Sequence, residues 1–346
     1  MRHTKTSYKL ISLALCLTML LPLAGCGESK QEQAEIFAMD TYMTLTVYGK
    51  NATAGLNAAK SVITSMDSML DPELETSTTY AINHAEGASV VVPGQVARML
   101  NTAQTVYKQS GGALDLTIYP LIKRWGFVDG KYYVPTDEEI SSDLAKRCFD
   151  KLTLTSFPSS GTYMVQMPSG GELSFASVAK GCASDNAIEA MRQAGVESGI
   201  ISLGGNVQTV GSKPDGSPWQ VGIADPDDPS SAIAVVRFTG SKALVTSGDY
   251  QRYFEQDGVR YHHILDPQTG RPVQNGLRSV TILADSGTLA DGLSTALFVM
   301  GLERATEFWR ASSDFEAVFI TEDGTICATE GAAALLTDCT FTELKR

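Results

Sequence analysis

The sequence predicts a single α+β domain of antiparallel sheets with covering helices. Amphipathic helical segments are interspersed with short stretches that alternate apolar and polar residues, which is the pattern of strands. After residue 34 the 346-residue chain contains no linker rich in Pro or Ser, no internal repeat and no low-complexity block. We therefore expect residues 34–346 to fold as one domain.

The strands and helices of this domain are predicted in order along the chain. Residues 35–48 are expected to form one long first strand, because β-forming residues alternate throughout. Further strands are predicted at 90–92, 151–155, 163–167, 172–175, 199–203, 207–210, 219–224, 233–238, 243–246, 261–265, 279–284, 315–320 and 326–329. Helices are predicted at 53–70, 95–109, 137–147, 176–194, 288–300 and 303–312, with Gly301 as a C-cap.

The N-terminus has the features of a bacterial lipoprotein signal. Basic residues precede the apolar run 10–23, and the sequence Leu-Ala-Gly-Cys follows and ends at Cys26. We expect residues 1–25 to be a signal peptide and residues 26–33 to be the lipidated Cys26 with a polar tether. A transmembrane helix is the alternative, although the run is shorter than the roughly 20 residues that a span needs. The expected location is the extracytoplasmic face of the cell membrane.

Charge excludes one class of partner. Removing residues 1–25 takes away three of 27 basic residues and none of 39 acidic ones, leaving 24 minus 39, a net charge of −15. No nucleic acid partner is expected for such an acidic protein. A polyanionic small molecule remains compatible where a metal or a local Lys/Arg cluster neutralises it. The remaining cysteines contain no C-x-x-C pair, so a zinc site is not expected, and a Cys327–Cys339 disulfide stays open.

Residues 261–270 read Tyr-His-His-Ile-Leu-Asp-Pro-Gln-Thr-Gly and hold two of the four histidines of the chain. The run predicts a strand that ends at a turn closed by Pro267 and Gly270. Neighbouring strand positions face opposite ways, so only one of His262 and His263 can point into a given pocket. We interpret the run as the centre of an active site, with a purely structural histidine pair as the alternative.

Asp291 and Thr295 lie four residues apart near the start of a predicted helix and therefore share one helical face. Both supply oxygen donors, which suit a hard cation such as Mg²⁺. The alternative is that Asp291 only compensates the helix dipole. Asn206 follows two glycines, and these indicate either a tight turn or close approach of the backbone to a ligand. They do not form a Walker loop, because no Gly-Lys-Ser/Thr follows.

Eight motifs, in order, resemble those of the ApbE family, the FAD:protein FMN transferases. They are residues 39–41, 77–83, 112–121, 179–181, 203–206, 246–250, 262–270 and 290–295. The resemblance covers nearly all of the mature chain and implies an ApbE-like fold related to the T-fold.

The resemblance also implies a Mg²⁺-dependent enzyme that takes FAD as its substrate. It would transfer the FMN half to a threonine hydroxyl of an exported acceptor protein, forming a phosphoester and releasing AMP. Asp291 and Thr295 would bind the metal by side chain and Ser177 by its backbone carbonyl. The residues implied to line the FAD are Met39, Ala113, Leu114, Asp115, Lys180, Asn206 and Ile264. His263, or else His262, would assist proton removal from the threonine.

The sequence departs from the family pattern at three positions. Ser174 replaces an aspartate common in the family, Glu73 replaces an aromatic residue, and Asp40 replaces the glycine of the usual Met-Gly-Thr. Two alternative functions remain, a metal-dependent FAD pyrophosphatase that gives FMN and AMP, and a non-catalytic flavin-binding lipoprotein. A candidate metal pair beside two histidines argues against the binder, because a binder needs no general base.

Overall fold

The computed structural model describes residues 30–346. The predicted signal peptide, Cys26 and the first residues of the tether lie outside this range. Within it, no helix combines the length and the apolar character that crossing a membrane requires. The described part is an α+β domain built on antiparallel sheets, as predicted.

Strands make up most of the elements. In chain order they are β1 (Gln31–Ala38), β2 (Thr41–Tyr48), β3 (Ser89–Val92), β4 (Thr153–Phe157), β5 (Thr162–Gln166), β6 (Ser198–Leu203), β7 (Asn206–Val210), β8 (Trp219–Ala224), β9 (Ala232–Phe238), β10 (Ala243–Gly248), β11 (Tyr253–Gln256), β12 (Val259–His262), β13 (Leu277–Ala284), β14 (Phe315–Thr321), β15 (Ile326–Thr329), β16 (Leu336–Thr337) and β17 (Thr342–Leu344). The helices are α1 (Ala52–Leu70), α2 (Thr78–Asn83), α3 (Gly94–Gln109), α4 (Tyr119–Arg124), α5 (Asp137–Leu144), α6 (Ala176–Gln193), α7 (Gly287–Arg310) and α8 (Glu330–Ala333).

A nine-stranded sheet forms the centre, with the order β1-β2-β6-β7-β10-β13-β14-β15-β17. All neighbours are antiparallel except β15 and β17. Helices α1, α3, α6 and α7 cover one face, where Met43, Ile201 and Phe298 belong to the main hydrophobic core. Burial of this apolar surface is the main stabilising contribution to the layer. The two long helices that carry the candidate site, α6 and α7, pack directly against each other.

Three smaller sheets and two further hydrophobic clusters complete the fold. A three-stranded sheet, β16-β9-β8, covers part of the opposite face through a second core around Trp219 and Leu244. A third cluster, around Trp125 and Leu265, packs the 261–270 run against α4 and α5. Strands β3, β5 and β4 form a separate sheet, and β11 and β12 a hairpin.

The predicted first strand is wrong in one respect, since residues 35–48 form two strands. Met39 and Asp40 have φ of 48° and 56° and make a two-residue turn between β1 and β2. Positive φ at both positions is the requirement of a type I′ hairpin turn, which explains why a glycine is expected at position 40. β1 begins at Gln31, so residues 31–33 belong to the folded domain and not to the tether.

The structure also corrects two predicted strands near the site. Residues 172–175 are not a strand, because their backbone bonds to other segments, including Ser174 N–H to the Leu116 carbonyl at 3.1 Å. The predicted strand 261–265 ends at His262. The two predicted helices 288–300 and 303–312 are confirmed as two helical segments, because Gly301, with φ 77° and ψ 164°, breaks the helical geometry between them; both segments lie within the range given for α7.

Candidate active site

A cavity of about 1040 Å³ lies where the starts of α6 and α7 meet the ends of β7, β10 and β12. Its volume is at the upper end of the range for small-molecule sites. Eleven of the twelve residues predicted for catalysis, metal or FAD line it, namely Met39, Ala113, Leu114, Asp115, Ser177, Lys180, Asn206, His263, Ile264, Asp291 and Thr295. His262 does not line it. The fold therefore brings together residues as far apart in the sequence as Met39 and Thr295.

The base of the cavity is a close contact between α6 and α7. Asp291 Oδ2 accepts a hydrogen bond from the backbone N–H of Gly181 at 2.8 Å. A Cβ at Gly181 would lie 2.1 Å from the Gly287 carbonyl oxygen, so no other residue permits this approach. The glycine of the Ala-Lys-Gly motif is therefore required for helix packing.

This contact also affects the carbonyl of Ser177. In an α-helix the N–H of residue 181 serves the carbonyl of residue 177. Since Gly181 N–H is directed to Asp291, the Ser177 carbonyl has to share its donor and retains accepting capacity on the cavity side. Ser177 is thus suited to be a backbone ligand.

The oxygen donors suit Mg²⁺. Asp291 is only 4% exposed, and one of its carboxylate oxygens is free of hydrogen bonds to residues 30–346. Within residues 30–346, the one polar contact of Thr295 Oγ1 is a long one of 3.4 Å with Ser247 Oγ. In the described range no three His, Cys, Asp or Glu side chains group together. One carboxylate, one hydroxyl and one carbonyl suit a cation that completes its shell with waters or phosphate oxygens.

Electrostatics around Asp291 favour a bound cation. Burial raises the pKa of Asp291, while the charge of Lys180 and the N–H of Gly181 lower it in part. Asn206 also lowers this pKa, although its Nδ2 lies outside hydrogen-bond geometry and is buried without a partner among the described residues. Within the described part of the chain, the buried carboxylate of Asp291 lacks an ion-pair partner, and the buried amide of Asn206 lacks a hydrogen-bond acceptor. A cation would satisfy the first and a phosphate oxygen the second.

The start of α7 is fixed by Asp185, a residue that the sequence analysis missed. Its Oδ1 accepts from Gly287 N at 2.7 Å and from Gln208 Nε2 at 2.9 Å. Its Oδ2 accepts from Ser286 Oγ, Thr288 N and Thr288 Oγ1 at 2.7–2.9 Å. Asp185 therefore satisfies helix-terminal N–H groups from outside the helix. The partners lie about 100 residues away in sequence, so no local pattern reveals the contact.

His263 is the histidine that faces the cavity. Its Nδ1 lies 3.1 Å from the Arg252 carbonyl, which places the proton on Nδ1 and leaves Nε2 as an acceptor. Burial lowers the pKa of His263 to about 3, with further contributions from the charges of Arg252, His262 and Lys180. The imidazole is neutral at physiological pH and able to accept a proton.

His262 has a structural environment. It is 5% exposed, its Nε2 lies 2.8 Å from the Val273 carbonyl, and its Nδ1 accepts from Ile264 N at 3.3 Å. Its ring also contacts Phe298 edge to face. Both ring nitrogens of His262 are used, so of the two histidines only His263 presents a ring to the cavity.

Other parts of the cavity wall contain Met39 and the residues 113–115. Asp115 Oδ1 accepts from Thr117 N at 2.8 Å and from Thr117 Oγ1 at 2.6 Å, which shapes the loop that carries Ala113 and Leu114. Burial raises the pKa of Asp115. Met39 is held by its backbone N–H, which donates to Asp67 Oδ1 at 2.8 Å.

All three departures from the family pattern, Asp40, Glu73 and Ser174, lie on the cavity wall. Glu73 Oε1 accepts from Tyr119 Oη at 2.5 Å, so a carboxylate and a phenol occupy the region where an aromatic residue was expected. Ser174 Oγ accepts from Ala176 N at 3.3 Å in the loop before α6. Arg252, which the sequence analysis did not select, adds a second cation to Lys180 on the lining.

The fold is that of the flavin transferase class. The structure superposes on the apo form of the Pseudomonas stutzeri flavinyl transferase ApbE with a TM-score of 0.78 and 28% identity, covering 90% of this chain and 98% of that one. The ApbE protein of Thermotoga maritima gives a TM-score of 0.81 and 29% identity, covering 89% and 100%.

Sequence comparison gives the same result. The ApbE family model matches residues 39–319. The FAD:protein FMN transferase of Vibrio cholerae is 33% identical over 302 residues, covering 84% of this chain and 88% of that protein. The protein of the same name from Treponema pallidum is 30% identical over 343 residues, covering 94% of each. The chain therefore belongs to the ApbE family, which confirms the resemblance seen in the sequence.

Proposed function

We propose that this chain is a transferase that moves FMN from FAD to a threonine hydroxyl of an exported acceptor protein, with Mg²⁺ as cofactor and AMP as the second product. The observation that carries the proposal is the cavity in which Asp291, Lys180 and His263 meet. The relatives named FAD:protein FMN transferase support the transfer of a flavin nucleotide to a protein.

The proposed reaction is a displacement at phosphorus. The threonine oxygen attacks the phosphorus of the FMN half, a new P–O bond forms, and the bond to the bridging oxygen of the pyrophosphate breaks. AMP leaves with that oxygen, and the hydroxyl proton goes to a base. Such transfers depend on positioning and on neutralising phosphate charge more than on covalent catalysis.

Different lining residues neutralise charge, accept the proton and hold the metal. Lys180 and the side chain of Arg252 provide positive charge on the cavity wall. Nε2 of His263 accepts the proton of the incoming hydroxyl, since its Nδ1 is held by the Arg252 carbonyl. Asp291, Thr295 and the Ser177 carbonyl would hold Mg²⁺, which when bound neutralises charge on the phosphate oxygens. This local cluster of positive charge would allow a protein with a net negative charge to bind the pyrophosphate of FAD.

The location belongs to the same proposal. A lipid on Cys26 would hold the domain on the extracytoplasmic face of the cell membrane. The acceptor is then an exported or membrane-bound protein that presents its threonine on that side.

The test is incubation of the mature protein with FAD, Mg²⁺ and an exported flavoprotein acceptor, followed by in-gel flavin fluorescence. We expect fluorescence that stays with the denatured acceptor and is lost in Asp291→Asn. Asp285→Asn is the matched control, because Asp285 precedes α7 and its side chain is 97% exposed. AMP and free FMN with an unlabelled acceptor would indicate a pyrophosphatase instead. FAD binding without AMP under any metal condition would indicate a binder.

A further inference from the structure

We propose that the β1–β2 hairpin is the docking surface for an extended segment of the acceptor protein, next to the threonine that enters the cavity. This inference rests on the proposed function, because it assigns the second substrate of that reaction to a place on the molecule. The docking surface consists of the open edge of β1 and the exposed pair Phe37 and Tyr42.

The aromatic pair is unusually exposed. Phe37 is 62% exposed and Tyr42 is 79% exposed. They are cross-strand partners, with ring centroids 5.2 Å apart in an edge-to-face arrangement. Aromatic side chains are enriched at protein interfaces, where they bury a large area at a small cost in conformational entropy. A preformed pair of this kind is suited to binding a partner.

The pair is continuous with the cavity. The turn between the two strands contributes Met39 and Asp40 to the cavity lining, and Thr41 follows them. Thr41 also packs on Gly204, another lining residue, since a Cβ at Gly204 would lie 2.5 Å from Thr41 Oγ1. A peptide lying along the hairpin therefore reaches the cavity within a few residues of Phe37.

The edge of β1 is open to strand addition. β1 is the first strand of the nine-stranded sheet and pairs with β2 alone among the described strands. Its sequence, Gln-Glu-Gln-Ala-Glu-Ile-Phe-Ala, contains neither Pro nor Lys, the residues that commonly protect an edge. In a hairpin with a two-residue turn, the pairs Phe37–Tyr42 and Glu35–Thr44 are the non-hydrogen-bonded ones, so the N–H groups of Phe37 and Glu35 point to the open edge. An extended peptide can use these groups.

The position of the pair favours a peptide over a lipid surface. Phe37 lies six residues from Gln31, about 20 Å along the strand at a rise of ~3.3 Å per residue. The predicted tether joins the domain at the Gln31 end, and the aromatic pair is at the opposite end beside the cavity. An acceptor threonine must reach this cavity for transfer to occur, whereas a membrane contact has no need to border it.

The first experiment uses the double variant Phe37→Ser/Tyr42→Ser in the mature protein. We expect the KM for the acceptor protein to rise at least about tenfold, the effect of removing an interface anchor. The affinity for FAD and the rate at saturating acceptor should change less than twofold. Phe157→Ser is the matched control, because Phe157 is 42% exposed in β4 and lies outside the cavity lining.

A second pair of variants tests strand addition separately. Glu35→Pro removes an N–H from the open edge, while Glu35→Ala removes only the carboxylate. We expect the KM for the acceptor to rise in the proline variant and not in the alanine variant. Equal values in both would exclude pairing along this edge.

Other outcomes overturn the proposal in different ways. An unchanged KM in the double variant excludes the hairpin as the docking surface while flavin transfer by the wild type leaves the proposed function intact. Weaker FAD binding in the double variant would make the pair part of the cofactor site. Loss of binding to phosphatidylglycerol vesicles, or conversion of a dimer to a monomer, would assign the pair to a membrane or to a second copy. If the wild type labels no acceptor, the proposed function fails. The docking surface can still be tested by comparing the direct binding of the acceptor to the wild type and to the double variant.

Discussion

Asp291 accepts the backbone N–H of Gly181 at 2.8 Å, and this single hydrogen bond connects the starts of the two helices that form the base of the cavity. The bond orients the carboxylate, and the Ser177 carbonyl has to share the same N–H donor. Two candidate ligands of the cation site are thus prepared by one contact. Their preparation depends on a glycine at position 181.

Asp291→Asn is expected to reduce flavin transfer about 10²–10³-fold, the cost of removing one strong electrostatic contribution to a transition state. The same variant should raise the free energy of unfolding of the metal-free protein at neutral pH. Burial raises the pKa of Asp291, so stability from this group is lost as pH rises through that pKa. Urea unfolding in a chelator at pH 5 and pH 8 measures the effect. A variant that is less stable at pH 8 would contradict it.

Gly181→Ala tests the close approach of α6 and α7. The added Cβ would lie 2.1 Å from the Gly287 carbonyl oxygen. We expect the free energy of unfolding to fall by about 1–3 kcal/mol and the binding of Mg²⁺ to weaken. Gly292→Ala is the control in α7, because its Cβ would meet only side chains, at 3.3 Å. Thermal unfolding of both variants decides the matter. Equal melting temperatures would show that the helices separate at no cost.

Asp185→Ala tests whether the start of α7 is positioned from α6. Asp185 does not itself line the cavity, yet it accepts hydrogen bonds from Ser286, Gly287 and Thr288. We expect a destabilisation of about 1–2 kcal/mol, as for loss of a helix cap. The Mg²⁺ concentration needed for half-maximal transfer should also rise, with little change in the KM for FAD. Asp185→Asn should recover part of both effects, and a loss of stability with an unchanged Mg²⁺ requirement would indicate a purely structural residue.

The ionisation of His263 is expected to depend on whether a nucleotide is bound. With the pKa lowered to about 3, the imidazole should not titrate between pH 5 and 8 in the empty cavity. Bound phosphate charge favours the imidazolium and should raise this pKa. NMR titration of the histidine ring signals, with and without ADP, measures both states, and His263→Gln assigns the signal. Titration near pH 6.5 without nucleotide would contradict the account.

The long helices could be predicted from sequence because their apolar faces repeat with a helical period. The boundaries expected for α1 and α6 fall within one residue of those observed. The β1–β2 hairpin could not be predicted from period, since alternation continues across a turn made by Met39 and Asp40. A positive φ at these non-glycine residues is visible only in the structure.

The candidate site was also predictable from the sequence only in part. Motif order was sufficient to select residues that line one cavity, and strand alternation predicted that the two histidines would separate. Which histidine faces the cavity depends on the Val273 and Arg252 carbonyls, which are contacts between segments. Asp185 and Arg252 were missed because their importance comes from distant partners and from placement in space.

The central claim is tested most directly by the intact mass of an acceptor protein after reaction with FAD and Mg²⁺, with AMP quantified in the same sample. The account predicts one added FMN on an acceptor threonine for each AMP released, and no addition when that threonine is replaced by alanine. AMP released together with free FMN, while the acceptor keeps its original mass, would contradict it.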